Sequence, residues 1–310
     1  MLPIRERIDP KFLFMGAGNR FELLSGFKST LESIGFTAEF SSIELDEGVP
    51  PPIADLAQIT YAPEFGVGGF GDWFTDFLGS RRFDFVIPCM DSAFRSISRK
   101  ELLKFGTNFA PGEDSGKFTD KKFLVQRVAD LGLPYLDFTG NTEKVIVKHR
   151  YGFGSRNQQI LSVEDERLGY LLDDESLVVQ DFLEGRETSV DIYVDKAGGL
   201  HMISRDRIKV VSGEVMITST RTPTNIERYI CETLVAGTDL VGPLNVQLIG
   251  ENSNVMDFNP RFGGGATASI KAGWRADLWL IQEYYLGESI PPVHEFTNLT
   301  ITRSRKDHVR

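Results

Sequence analysis

The alternation of apolar and polar positions changes character near residue 118. Before it, "KFLFMGAGNRFELLSGFKSTLESIGF" runs from an apolar strand through a glycine turn into an amphipathic helical pattern, the βα opening of an open parallel sheet. "TAEFSSIEL", "AQITYAP" and "RFDFVIPCMD" read as further strands, and "VPPPIADL" as a loop entering a short helix. Polar "APGEDSGKF" marks a boundary. Beyond it, "TDKKFLVQRVADLGLPY" predicts a helix capped by Thr119 or Asp120 and stopped by Gly132. "KVIVKHRYGFGSRNQQIL" reads as strand, glycine-rich turn and strand. "SLVVQDFLEGRETSVDIYVD" adds a strand, a connection and a cleanly alternating strand. "GLHMISRDRIKVVSGEVM" gives two strands about Ser212-Gly213, "TNIERYICETLVAGTDL" a helix, and "GPLNVQLIGENSNVMDFNPR" a hairpin. "TASIKAGWRADLWLIQEYYLG" reads as one final helix ending at Gly287. Strands and helices without regular βαβ alternation predict α+β architecture after residue 118.

The hairpin carries the most unusual pattern. A strand that only had to pack would not end in "NVMDFNPRFGGG". Alternation places Val255, Asp257 and Asn259 on one face and Met256 and Phe258 on the other. A five-residue loop centred near Asn252 sets Ile249 opposite Val255, Gln247 opposite Asp257 and Asn245 opposite Asn259. Gln247, Asp257 and Asn259 then form a set of hard oxygen donors with one formal charge, suited to Mg²⁺ that keeps waters and substrate phosphates. Arg261 follows, and Gly263 to Gly265 let backbone approach a ligand. The plainer alternative is a solvent-facing strand edge with a loose turn.

Three further stretches point to anion chemistry. In "KHRYGFGSR", Lys148 ends a strand and Gly152, Gly154 and Ser155 allow a loop whose amides fold over phosphate, against simple snorkelling of the lysine. In "EGRETSVDIYVD", Glu187, Ser189 and Asp191 share a face, and Glu187 can accept from ribose hydroxyls or be solvated. In "SRDRIKV", Arg205, Arg207 and Lys209 alternate on one face, so that either an anion or solvent must relieve their repulsion. Gly16-Ala17-Gly18 invites a nicotinamide dinucleotide, but Phe21 stands where the third glycine of that fingerprint belongs.

Composition narrows the classes. The chain has 310 residues, 41% of them hydrophobic, enough for a substantial core, and its net charge of −10 disfavours a broad nucleic-acid footprint. Cys89 and Cys231 fit a reducing compartment without a disulfide framework. The four histidines lack zinc spacing. No apolar leader or run of 18 apolar residues is present, so a cytoplasmic protein with no membrane span is expected. "WLIQEYYL" offers a homodimer surface, although core packing is the commoner use of such a stretch.

The order of these stretches carries a resemblance. From about Thr119 to Gly287 the chain resembles the ATP-grasp superfamily, most of all the domains of the carbamoyl-phosphate synthetase large subunit. The matching stretches are "DKKF", "VIVKHRYGFGSR", "VVQDFLEGRE", "GPLNVQLI" and "VMDFNPRFGGG". The resemblance implies a Rossmann-like preATP-grasp α/β domain over 1–118, then an ATP-grasp fold of two α+β subdomains, the small one over 119–185 and the large one over 186–310. Lys121 and Lys148 resemble the lysines on ATP phosphates, and Gly152, Gly154 and Ser155 the closing loop. Gln180, Asp181, Phe182 and Leu183 match the adenine hinge, and Glu187 the ribose position. Arg207 and Lys209 are expected on the phosphates, Arg207 and Lys148 near the reacting group together with Arg261. Gln247, Asp257 and Asn259 match the ligands of Mg²⁺, with Mn²⁺ as the substitute. Asp257 stands where the family usually has glutamate, and Gln180 where an acidic residue often meets adenine. The implied activity joins a small-molecule carboxylate to an amine or ammonia through an acyl phosphate, forming ADP. The competing readings are a silent Mg-ATP-binding regulator and a nicotinamide oxidoreductase.

Overall fold

The computed structural model describes residues 8–45, 47, 52–65, 68–152, 157–211, 213–291 and 296–304. The chain divides into two compact units, one built on Met1–Glu113 with Arg275–Val293, the other on Asp114–Trp274 with His294–Lys306.

In the first unit β1 (Lys11–Met15), β2 (Glu39–Glu44), β3 (Gln58–Tyr61) and β4 (Phe85–Pro88) pair in parallel, in the order β3-β2-β1-β4. Continuous apolar runs such as "FLFM" form strands here because both faces of a parallel sheet are covered. Helix α1 (Phe21–Ser33) buries Leu23, Leu24, Phe27 and Leu31, and α2 (Phe70–Gly79) buries Phe70, Phe74, Phe77 and Leu78. The short α3 (Arg99–Lys104) follows. This is the Rossmann-like domain that the sequence predicts.

The second unit opens with α4 (Ser115–Phe118) and α5 (Lys121–Asp130). Asp120 caps α5, its carboxylate accepting from the Lys122 and Phe123 amides while Arg150 Nη2 holds it at 2.7 Å. Antiparallel β5 (Lys144–His149), β6 (Gln159–Ser162) and β7 (Leu177–Asp181) form a small sheet with β5 in the middle and α6 (Leu168–Asp173) against it. A six-stranded sheet holds β8 (Glu187–Val194), β9 (Leu200–Val211), β10 (Glu214–Arg221), β11 (Gly242–Ile249), β12 (Asn254–Asn259) and β13 (Thr300–Thr302), in the order β12-β11-β8-β9-β10-β13. Helix α7 (Asn225–Val235) starts with a Thr224–Glu227 capping box. Its Ile230, Cys231 and Leu234 pack with Leu124 and Val128 of α5 and with Val190, Ile192, Leu244, Val246 and Leu248 of the sheet. Each fully buried aliphatic side chain contributes about 1.5–3 kcal/mol. Even-numbered positions of β8 and β11 thus build the core, leaving odd-numbered ones for the other face.

Two expectations are corrected. The register of the β11–β12 hairpin shifts after Gln247↔Asp257, so that Val255 lies opposite Leu248 and not Ile249. The extra residue turns Val255 into the core with Phe258, while Asp257 and Asn259 keep the opposite face. The single final helix is instead two. Helix α8 (Ala266–Lys271) stops before Gly273, whose φ of +105° no helix accommodates, and α9 (Ala276–Ile281) belongs to the first unit. A π-helical turn carries α9 on to Leu286, and Gly287 ends it in the left-handed conformation. The "WLIQEYYL" stretch buries Trp279, Leu280, Ile281 and Tyr284, so its residues serve the core. No helix among the described residues is long and apolar enough to cross a membrane.

Candidate active site

Strand register assembles the polar face of the six-stranded sheet. Asp257, Gln247, Ser189 and Arg205 stand directly opposite one another in one row across β12, β11, β8 and β9. Asn259, Asn245 and Asp191 form the next row, and Ile249, Glu187 the row on the other side. Residues this placed have Cβ atoms about 4.5–5.5 Å from their neighbours, within reach of a shared ligand.

The two lysines approach this face from α5 and β5. Lys121 Nζ lies 3.5 Å from Asp257 Oδ1 and donates to the Gly152 carbonyl at 2.8 Å, tying the start of the glycine-rich loop to the hairpin. Lys148 is only 5% exposed and does not snorkel. Its Nζ donates to Gln180 Oε1 at 2.9 Å, and Gln180 Nε2 donates to the Leu136 carbonyl at 2.7 Å. Burial pulls the Lys148 ammonium down to about 8, while Asp257 and Glu187 favour its charged form and Lys121 opposes it. Those influences place all four groups in one electrostatic neighbourhood.

The hinge residues divide. Gln180 is buried and committed to Lys148 and Leu136, so its oxygen is already in use where the sequence suggested an adenine contact. The Asp181 carboxylate accepts from the Thr139 amide at 3.2 Å and from its hydroxyl. Gly154 and Ser155 lie outside the described residues.

The cationic stripe is resolved differently from either sequence alternative. Arg205 pairs with Asp191 and Arg207 with Glu187, Nε to Oε2 at 2.7 Å, while Lys209 is exposed. Cross-strand carboxylates relieve the repulsion that was assigned to an anion or to solvent. Glu187 is therefore half of an ion pair. Arg261 Nη2 donates to Asn259 Oδ1 at 2.9 Å and its Nη1 to the Phe262 carbonyl at 3.2 Å.

A buried polar network, unassigned from sequence, underlies the triglycine turn. The Asp191 carboxylate accepts from Arg205 Nε at 2.6 Å and Nη2 at 3.2 Å, from Asn245 Nδ2 at 2.7 Å and from Ser269 Oγ at 2.5 Å. Ser269 of α8 is fully buried and faces this carboxylate. A Cβ on Gly263 would sit 2.8 Å from Asn245 Cγ, and one on Gly265 would sit 2.0 Å from Arg205 Nη1. The glycines are required by this network from below, whatever approaches from above. The signal was the alternation that put Asp191 and Ser189 on the face of Glu187.

The donor set fits a hard cation held jointly with a ligand. It offers one carboxylate and two amides, and among the described residues no group of three or more His, Cys, Asp or Glu side chains converges. That suits Mg²⁺, which keeps waters and shares substrate phosphates.

In the first unit the glycine turn is filled from within. Glu44 accepts from the Ala17 amide at 2.9 Å, the Gly18 amide at 3.2 Å and Ser42 Oγ at 2.6 Å. Burial raises its carboxyl above the ordinary range, although the three hydrogen bonds favour the anion. The amides that a pyrophosphate would need already hold the chain's own carboxylate, and the nicotinamide reading loses its anchor.

The fold is the ATP-grasp fold. The family model described as "ATP-grasp in the biosynthetic pathway with Ter operon" matches residues 173–306. N5-carboxyaminoimidazole synthetase from Staphylococcus aureus, complexed with ADP, superposes with a TM-score of 0.66 at 14% identity, covering 93% of this chain and 80% of that one. L-amino acid ligase from Bacillus licheniformis gives 0.65 at 13% identity, with 90% and 74% covered. Phosphoribosylglycinamide synthetase from Anaerococcus prevotii gives 0.61 at 15%, with 91% and 76% covered. Identities this low establish the shared fold. No curated protein sequence matches the chain.

Proposed function

We propose that this chain is an ATP-dependent ligase that joins a small-molecule carboxylate to an amine or ammonia and forms ADP and phosphate. The observation that carries the reading is the convergence of Lys121, Lys148, Glu187 and Asp257 about one face, with Gln247 opposite Asp257. Similarity to folds named as synthetases and ligases, one of them complexed with ADP, supports it.

In this reading the hinge backbone from Asp181 to Leu183 holds adenine, Glu187 a ribose hydroxyl, and Lys121, Lys148, Arg207 and Lys209 the phosphates. Gly152, at the end of the segment after β5, would meet them with its backbone. Gln247, Asp257 and Asn259 would hold Mg²⁺, which when bound supplies charge neutralisation to the phosphates. A carboxylate oxygen forms a bond to the γ-phosphorus, and the bond to the β-phosphate oxygen breaks with its electron pair leaving on ADP. The amine then forms the C–N bond, phosphate leaves with the C–O pair, and the amine proton passes to solvent. Arg261, which donates to Asn259, would meet charge developing on the phosphoryl oxygens.

A thermal-shift titration with ATP, GTP and NADH, each with Mg²⁺ and with chelator, tests the binding half. Ligand at 100 times Kd should add about 2.7 kcal/mol. ADP release across carboxylate and amine pools tests the chemistry. A Mg²⁺-dependent ATP shift without ADP release from any pool would leave a nucleotide-binding regulator in place of an enzyme.

A further inference from the structure

We propose that Arg205 and Ser189 form an acyl-oxygen subsite, holding the carboxylate oxygen of the acceptor that does not attack phosphorus. The proposal rests on the ligase reading for the identity of that oxygen.

Arg205 is 1% exposed and Ser189 likewise 1% exposed. Arg205 Nε and Nη2 are committed to Asp191, whose remaining acceptor capacity Asn245 and Ser269 fill. Arg205 Nη1 and Ser189 Oγ are buried and have no hydrogen-bond partner among the described residues. The two residues are direct cross-strand neighbours, in the row that continues to Gln247 and Asp257. Two adjacent orphans beside a nucleotide site are a costly arrangement, because folds pair buried polar groups almost without exception. An oxygen placed between them would satisfy both.

The charge balance selects the kind of oxygen. Asp191 neutralises the guanidinium, so Nη1 is left as a charge-assisted donor in a pair of zero net charge. It suits a carboxylate or carbonyl oxygen better than a polyphosphate, which Lys121 and Lys148 are placed to receive. Nη1 also lies directly beneath Gly265, where a Cβ would come within 2.0 Å. Only a glycine at 265 lets the turn lie this close to the donor.

The same oxygen would be held through both steps. It is the second carboxylate oxygen while its partner bonds to the γ-phosphorus. It is the carbonyl oxygen of the acyl phosphate, and it takes the electron pair when the amine adds. It returns that pair as the C–O bond to phosphate breaks.

Acetate, titrated with and without Mg²⁺ and a non-hydrolysable ATP analogue, is the probe. Wild type, Ser189→Ala and Arg205→Lys are compared by acetate affinity, nucleotide shift and melting temperature. Ser189→Ala removes a hydroxyl with no internal partner and so leaves the fold able to form. The proposal expects acetate affinity to fall about 10-fold in Ser189→Ala and further in Arg205→Lys, the nucleotide shift persisting. Unchanged acetate affinity in a Ser189→Ala protein that melts higher would overturn it, since that is how a merely unsatisfied hydroxyl behaves. Failure of wild type to bind acetate under any condition would also overturn it. Acetate binding that needs both side chains in a protein blind to ATP would support the subsite and sink the ligase reading alone.

Discussion

Lys148 Nζ and Gln180 Oε1 are 2.9 Å apart on the inner face of the small sheet, and the Gln180 amide is pinned at its other end by Leu136. A buried ammonium thus leans on a neutral acceptor, and its pKa near 8 follows from burial. Polyphosphate beside it would restore the proton. Affinity for Mg·ATP should therefore fall by up to about tenfold per pH unit above pH 8, with net proton uptake on binding there. In the free protein the sign is opposite to that of a partnered lysine. The unfolded chain holds the proton up to its ordinary value of 10.5, so apo stability should rise from pH 8 toward that value. Calorimetry in buffers of differing ionisation heat measures the uptake. Lys148→Arg, always charged, should flatten the dependence, and a pH-independent wild type would refute the assignment.

Asp257→Asn should separate chemistry from folding. The carboxylate sits 3.5 Å from Lys121 and is partly exposed, so the ion pair is worth about 0–1 kcal/mol to stability. Its loss should lower ADP release by about 100-fold or more, the scale of removing one preorganised electrostatic group. Initial rates and a melting curve on the same preparation check both halves. Full activity in the variant would end the metal-site assignment.

What was legible in the sequence was whatever strand alternation and turn chemistry determine locally. The pairings Gln247↔Asp257 and Asn245↔Asn259 follow from counting across the "GENSN" loop, yet the bulge at Met256 was invisible because it depends on Val255 reaching the Leu248 core. Arg205, Arg207 and Lys209 were seen as one stripe. Their fates differ because β8 lies opposite, with Ser189 facing Arg205 and Glu187 close enough to pair with Arg207. Asp191 escaped attention since a carboxylate on an alternating strand normally faces water. Only the arrival of Ser269 and the glycine turn over it makes it a buried centre. The Glu44 contact joins residues 26 and 27 apart in sequence, beyond any short motif.

Gly265→Ala tests that buried centre. The new methyl would overlap Arg205 Nη1, and Asp191 holds the guanidinium against retreat. A destabilisation of about 1–3 kcal/mol is expected, as for overpacking a well-filled core. Gly169→Ala on α6 is the control. No atom lies within 4 Å of its Cβ position and the site is helical, so stability should hold or rise by about 0.5–1 kcal/mol. Denaturant midpoints of the two variants settle the comparison. Equal behaviour would mean that the turn has room which the geometry denies it.

Glu44→Ala tests the closed glycine turn of the first unit. The Ala17 and Gly18 amides and the Ser42 hydroxyl would lose their acceptor in a buried setting, and about 1–3 kcal/mol should be lost. The pH dependence adds a second reading. Because the folded carboxyl lies above its unfolded value of 4.5, the native state takes up its proton first as pH falls. That contribution is full below the unfolded value and fades as pH rises through the folded one. The stability gap between wild type and Glu44→Ala should therefore widen as the medium is acidified toward pH 4.5. Wild type should also show no thermal shift with NADH, since the turn amides are taken. An NADH shift in wild type, or a gap that narrows in acid, would mean that the carboxylate does not occupy the turn in solution.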